Sequence, residues 1–430
     1  YSHETYLQET LLFYQGVLNQ RSANYLEAIN YYQKLLRDYP HSSYLFSAYL
    51  NLLACHLALG DDKNYLTVLH KALELFPHKD IFYLEWFHRA LEEGDFNQIE
   101  KALEGLQKFP QHKNRAFFWS YKLSKDDKPE LLWEIIESRN IDYYFVRSWQ
   151  ELIRKGYDPQ KRFKIENQPL PETENYLQSL SSQLKRAEKH WETYLFLKEK
   201  GFYRNAEIEL LFLRHKNPSA KLLHFEFVKL YTSMSEYRKA ILHALYLQQN
   251  FPQASQNLIL LKNLYPLFFK EEVEKATRLF RGVDPYLVFS VIRAESFFEV
   301  NTKSRAGALG LTQLMPQTAR WMLETGKTKL RRKTIDEKSL LDPEINIHIG
   351  VAYLDYLLKQ FEGKLIQTIC SYNAGPGRVQ QWLQRYPADP DSFFENIPFS
   401  ETKGYLEKVL VNYFYYSLIW KGHFPVQKLF

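Results

Sequence analysis

The feature that most constrains this chain is a recurring set of apolar and aromatic residues at helical spacing, closed at intervals by proline, from residue 1 to about 266. Ala28, Tyr32, Leu35 and Pro40 stand at the same offsets as Ala206, Leu210, Leu213 and Pro218, and as Ala240, Ala244, Leu247 and Pro252. The last two sets lie 34 residues apart, a period that implies helical pairs stacked side by side, each burying a face its neighbour completes. The small residue lets two helices approach closely, and the proline ends the second helix of a pair. Segments ending at Pro77 and Pro110 keep the spacing but lose the alanine position, so the array is degenerate. Almost nothing in this region alternates as a strand does. The spacing therefore predicts an all-α fold that begins with a curved α-solenoid over 1–266. A proline-rich and charged stretch, "KGYDPQKRFKIENQPLPETENY" at 155–176, marks a loop or break within it.

At 430 residues, 45% apolar and 16% aromatic, the chain has material for large cores and for two or three domains. No apolar run approaches the roughly 18 residues of a membrane span. The opening "YSHETYLQET" lacks a basic start followed by an apolar stretch, and fits a mature terminus left after signal removal. A formal net charge of +6 suits an anionic polymer as partner and is far too weak a bias to indicate nucleic acid. Cys55 and Cys370 each sit in apolar helical patterns, which predicts buried free thiols. The 13 histidines show no metal-ligand spacing and there is no phosphate loop, so no metal and no cofactor is expected.

Near Pro266 the character changes. Glycines gather in short loops (Gly307 and Gly310, Gly375 and Gly377), and the chain closes on the aromatic helix "YLEKVLVNYFYYSLIW", so 267–430 reads as a separate compact α-helical domain. Asp284 before Pro285 is a helix start, an N-cap with proline in the first turn, and the helix is expected to end near Phe298. Leu287, Val288, Val291 and Ile292 form its buried face, and Glu295 continues that face. Burial and the carbonyls of the last turn both favour a neutral carboxylic acid, which is the form a general acid needs. The competing reading is a glutamate that snorkels to solvent or pairs with Arg293 or Arg305. Glu299, four residues on, approaches a sugar from the same side as Glu295 and makes a poor dyad; it reads as a solvated helix end. "SRAGALGLTQLMP" can wall a cleft beside Glu295. The stripe through Ile345, Ile349, Ala352, Tyr353, Tyr356 and Leu357 in the helix begun by Asp342 and Pro343 reads as core packing. Tyr372, beside the glycine loop of "SYNAGPGRV", is either an ordinary core aromatic or a cleft residue. The basic run "KTKLRRK" at 327–333 is either a solvated loop or a holder of carboxylates.

Taken together, residues 284 to 410 resemble the catalytic domain of the soluble lytic transglycosylases, relatives of goose-type lysozyme that cut bacterial peptidoglycan. The resemblance is carried by "AES" at 294–296, Ser304 nine residues after the glutamate, "GALGLTQLMP" at 307–316, "DPEINIHIGVAYL" at 342–354, "YNAGPGRV" at 372–379 and "IPFSETKGYLEKV" at 397–409. It implies a lysozyme-like domain in which Glu295 is the single catalytic acid and base, with Ser304, Gln313, Met315, Tyr372, Glu401 and Tyr405 lining a glycan cleft. It also implies a lyase with peptidoglycan as substrate, a 1,6-anhydro-N-acetylmuramic acid product, a periplasmic location and no cofactor. A lysozyme-type hydrolase and a non-catalytic peptidoglycan-binding scaffold stand as alternatives. The large members of the family also carry a helical solenoid, which matches the tetratricopeptide-like reading of 1–266 and suggests protein partners for it. Thr312 stands where the family usually has methionine, Ser371 where it has alanine, and Val300 near its usual proline; these departures touch the cleft walls rather than the acid.

Overall fold

The computed structural model describes residues 3–166, 188–251, 256–332, 334–386 and 389–425. The chain divides into two compact units, Tyr1–Ile135 and Ile136–Phe430. Among the described residues there is no named strand, and helices dominate throughout. No helix among them is long and apolar enough to cross a membrane.

In the first unit, His3–Arg21 packs on Tyr25–Asp38, that helix on Leu45–Leu59, and Leu45–Leu59 on Asp62–Leu75, while Asp80–Glu93 packs on Phe96–Leu106. Helix starts are set by side-chain caps: Asp61 accepts from the Asn64 N–H, and Asp95 from those of Asn97 and Gln98. One core gathers Ala28, Tyr32, Leu35, Ala48, Leu52 and Cys55, and the next Tyr49, Leu53, Tyr65, Leu69 and Phe82. The two segments that lose the repeat's alanine keep a small residue, displaced to the third position of the set. Ala72 is fully buried in the segment ending at Pro77. In the segment ending at Pro110 the place is held by Gly105, where a Cβ atom would lie 2.1 Å from the Tyr83 ring. The close approach survives although the residue that makes it has moved by two turns.

In the second unit the repeat reappears. Glu188–Glu199 packs on Tyr203–Lys216 and Leu223–Ser233 on Tyr237–Asn250. The three helices that carry the full pattern, Tyr25–Asp38, Tyr203–Lys216 and Tyr237–Asn250, are each 14 residues long, and their patterned alanine, tyrosine and leucine side chains are all buried. Pro252 lies outside the described residues. So does 167–176 of the expected break; its earlier part leaves the Tyr143–Arg154 helix for a short 3-10 turn, Pro159–Lys161, capped by Asp158.

The centre of this unit is the Ser400–Trp420 helix, which buries Tyr405, Leu406, Val409, Leu410, Tyr413, Phe414 and Tyr416. It packs against Pro285–Ser296, Leu365–Ala374 and Tyr143–Arg154. The expected boundary at 266/267 falls inside the second unit: Trp420 Nε1 donates to the Tyr265 carbonyl at 2.9 Å and the Tyr416 hydroxyl to that of Pro266 at 3.0 Å. Both cysteines are buried free thiols.

Candidate active site

The helix that carries Glu295 runs Pro285–Ser296, with Asp284 accepting from the Tyr286 N–H at its start. Leu287, Val288, Val291 and Ile292 are all buried, which is the stripe read from the sequence. The helix stops two residues earlier than its spacing suggests. Phe297 and Phe298 both take left-handed backbone, at φ 50° and 62°, a costly conformation for a bulky residue. Tertiary packing holds it there: Phe298 is buried with its ring edge-on to Phe268 at 5.5 Å, and Ser296 Oγ donates to the Leu311 carbonyl at 2.8 Å. The turn delivers the chain into the glycine-rich loop, with Glu295 in the last turn of the helix before it.

Glu295 is half-buried, with part of its surface open while protein packs densely around the carboxyl. Burial pushes its pKa up to about 7, the nearby Tyr405 hydroxyl pulls it down, the Glu401 carboxylate raises it and Lys408 lowers it. The Tyr405 hydroxyl is buried and makes no hydrogen bond of regular geometry, so its pull on Glu295 reflects closeness rather than a formed bond. The pairing with Arg293 does not occur. That guanidinium is buried, donating to the Leu264 carbonyl at 2.9 Å and to Asn412 Oδ1 at 2.9 Å. Glu299 is exposed and paired with Arg238 at 2.9 Å.

Tyr372 and Tyr405 both feel the Glu295 charge, and burial drives both phenols well above their ordinary pKa. Glu295, Tyr372, Tyr405 and Glu401 thus converge, from three helices. Glu401 is exposed at the start of the Ser400–Trp420 helix, one turn before Tyr405. The Tyr372 hydroxyl donates to the Thr312 carbonyl at 3.0 Å, so the residue in the usual methionine position supplies a backbone anchor for the tyrosine. Ser304 and Gln313 use their side chains to shape the loop. Ser304 Oγ accepts from the Ala308 N–H at 2.9 Å; the Gln313 amide donates to the Thr302 and Gly310 carbonyls at 3.1 and 2.8 Å, which leaves its carbonyl oxygen as an acceptor. Met315 is 40% exposed, an apolar side chain open to a ligand.

Sequence reasoning passed over Asn346, which stands beside the apolar stripe read as core packing. It is fully buried. Its Oδ1 accepts from the Thr312 N–H and hydroxyl, both at 2.8 Å, and its Nδ2 donates to the Leu309 and Leu340 carbonyls at 2.9 and 2.7 Å. A Cβ on Gly310, whose φ is 74°, would lie 2.4 Å from Asn346 Nδ2, so glycine is what lets the loop seat on this amide. The signal was present: a lone carboxamide beside an apolar stripe, since a buried amide must find partners for all its polar atoms. In the basic run, Lys327 Nζ lies 4.7 Å over Trp321 and Lys329 Nζ donates to the Leu279 carbonyl at 2.8 Å; Lys333 lies outside the described residues. Among the described residues no group of three or more His, Cys, Asp or Glu is arranged to hold a metal.

A half-buried carboxyl in the last turn of a helix, raised in pKa by burial and with two tyrosines acting on it, has the properties that general acid chemistry needs. The family model of the transglycosylase SLT domain matches residues 272–393, so this segment is similar to that domain. The soluble lytic murein transglycosylase of Salmonella typhimurium is 37% identical over 170 residues, 39% of this chain and 25% of that protein. That of Escherichia coli K12 is 38% identical over 158 residues, 36% of this chain and 24% of that protein. The matched stretch is thus about a quarter of these relatives' length. The 70-kDa soluble lytic transglycosylase of E. coli superposes with a TM-score of 0.68 at 22% identity, covering 96% of this chain and 62% of that one. An inactive mutant of lytic transglycosylase Slt from Pseudomonas aeruginosa gives 0.66 at 21% identity, covering 98% and 68%. These superpositions establish a shared all-α fold.

Proposed function

We propose that the chain is a peptidoglycan lytic transglycosylase that cleaves the β-1,4 bond between N-acetylmuramic acid and N-acetylglucosamine. The observation that carries this reading is Glu295, whose surroundings hold it protonated up to about pH 7 at the end of a family-matched helix. As acid it gives its proton to the glycosidic oxygen as the bond to C1 breaks. As carboxylate it then takes the proton of the muramic acid C6 hydroxyl, whose oxygen closes on C1. The products are the freed glycan end and a 1,6-anhydro end; no water enters, and Glu295 finishes protonated. The substrate's own 2-acetamido group supplies the stabilisation that a second carboxylate gives in other glycosidases. The C6 hydroxyl is already held beside the reacting carbon, an advantage in effective concentration over diffusing water.

Ser304, Gln313, Met315, Tyr372, Glu401 and Tyr405 are the proposed cleft lining. The Gln313 carbonyl oxygen and the unbonded Tyr405 hydroxyl offer polar contacts, Met315 an apolar one. The chemistry is assigned to 267–430, with 1–266 as a tetratricopeptide-like solenoid offering a surface for protein partners. The location proposed is the periplasm, where the substrate lies. One observation favours a second reading: Glu401, exposed and close enough to raise the Glu295 pKa, is suitably charged to activate a water, which makes the enzyme a lysozyme-type hydrolase. Mass spectrometry of muropeptides released from purified sacculi separates the two. The proposal expects ends one water lighter than hydrolysis products and resistant to borohydride; chiefly reducible ends overturn it in favour of the hydrolase.

A further inference from the structure

The first two turns of the Ser400–Trp420 helix have two working faces. Glu401 and Tyr405, four residues apart, share one face and lie near enough to act on the Glu295 carboxyl. Lys403 and Glu407, also four apart, are turned by about 200° from them at 100° per residue, and this back face is gripped from upstream. Glu407 Oε1 accepts from the Tyr143 N–H at 3.2 Å. Lys403 Nζ donates to Glu395 at 3.0 Å, and the same Glu395 carboxylate accepts from the Tyr144 hydroxyl. Beside it, Arg147 binds Asp391 through both arms of its guanidinium, Nε to Oδ1 at 2.6 Å and Nη2 to Oδ2 at 3.0 Å, with the Tyr143 hydroxyl on Oδ1 at 2.9 Å. The Tyr143 ring lies flat on Phe394, centroids 3.7 Å apart. Arg147, Asp391 and Glu395 are all buried.

Buried ions of this kind are poor sources of net stability, because desolvation offsets their attraction. What they supply is geometry: a two-armed guanidinium fixes its partner in distance and angle together. Asp391 and Glu395 lie on the short helix Pro390–Glu395, which leads through Asn396–Phe399 into the helix that presents Tyr405. We propose that the Tyr143–Arg154 helix is a positioning element of the reaction, with Arg147, through Asp391, fixing the register in which the Ser400–Trp420 helix presents Tyr405 and Glu401 to Glu295. This rests on the assignment of Glu295 as acid and base, and it places a requirement of the cleft more than a hundred residues upstream of the matched family segment.

The test uses the full chain. Arg147→Met combined with Asp391→Asn removes the lock as a pair, and Glu151, which Arg147 also binds, keeps its ion pair with Arg154. The proposal expects kcat on glycan to fall tenfold or more with KM within about twofold. It also expects the alkaline limb of the pH–rate profile to move by at least about 0.5 in pH, since Tyr405, Glu401 and Lys408 on this helix, with Tyr372 opposite, are the groups that set Glu295. Tyr143→Phe, which removes one donor to Asp391 and keeps the ring stack, gives a smaller change in the same direction, and Arg147→Lys an intermediate one. A folded double variant with wild-type kcat and limb overturns the proposal, as does lowered melting temperature alone. If the double variant does not fold, Tyr143→Phe decides by the same two readouts. Should the parent chain release no product, the assignment of Glu295 has failed instead. The lock is then judged without turnover, by carboxyl titration of Glu295 in parent and Tyr143→Phe chains; identical titrations reject it.

Discussion

The first unit and the surroundings of Glu295 are built from the same helices by different means. In the first unit the buried residues are nearly all alanine, leucine and aromatic side chains, with polar exceptions such as His56 and Asn114. Around the site, Arg293, Asn346, Thr312, Asp391, Glu395, Thr402 and Asn412 are buried as well. Apolar packing sets shape and tolerates relocation, as the displaced small residues Ala72 and Gly105 demonstrate. Buried hydrogen-bonding groups do not tolerate it, because each must meet a particular partner or be left unsatisfied. The repeat region therefore keeps a pattern, whereas the site keeps particular residues at particular places.

The sharpest way to break this contrast is Glu295→Gln, which keeps the shape and removes the transferable proton. Cleavage should fall by about two to four decades, the usual worth of general acid–base catalysis, with helical circular dichroism unchanged. Activity within tenfold of the parent contradicts the assignment. In the first unit, Gly105→Ala pushes a methyl into the Tyr83 ring, and overpacking of this kind costs about 1–3 kcal/mol. Melting temperature should drop while kcat per folded molecule holds; a changed kcat shows that the two regions are not separable in this way.

A third prediction concerns pH. A carboxyl raised from 4.5 to about 7 on folding binds its proton more tightly in the folded state, so its contribution falls as pH rises from 4.5 to 7 and is flat above. Glu295→Gln lacks that loss. Its stability relative to the parent should improve by about 2 kcal/mol between pH 4.5 and 8, discounted for the part of the side chain that solvent reaches. Equal pH dependence of the two melting curves speaks against a buried acid. The smallest effect is expected from Tyr372→Phe, which removes the bond to the Thr312 carbonyl and one hydroxyl beside Glu295. A loss of about 1 kcal/mol appearing in kcat marks a cleft residue, and the same loss appearing in melting temperature alone marks a core one.

Much of this was legible in the sequence because it is periodic. The 3.6-residue spacing located the helices, Asp–Pro pairs located the starts at Pro285 and Pro343, and an acid in an apolar stripe pointed to Glu295. The early stop at Ser296 was not legible, since it depends on Phe268 and Leu311, which are distant in sequence or lie in a loop. For Asn346 the sequence signals a need for partners but not which ones, since they lie 34 and 37 residues away at Thr312 and Leu309. The Arg147–Asp391 pair spans 244 residues, and no local pattern announces such a contact. Local periodicity encodes elements; long-range polar pairing is read only once the elements are in place.

The central claim is that burial against the walls of this cleft, rather than a partner base, keeps Glu295 an acid near neutrality. It is tested most directly by titrating that carboxyl in the full chain, as the difference between infrared carboxyl spectra of parent and Glu295→Gln proteins across pH 3–9. The account predicts one carboxyl, absent from the variant, that loses its proton at about pH 7. A difference band that titrates near the ordinary value of 4.5 would mean that solvent reaches Glu295 freely, and would contradict it.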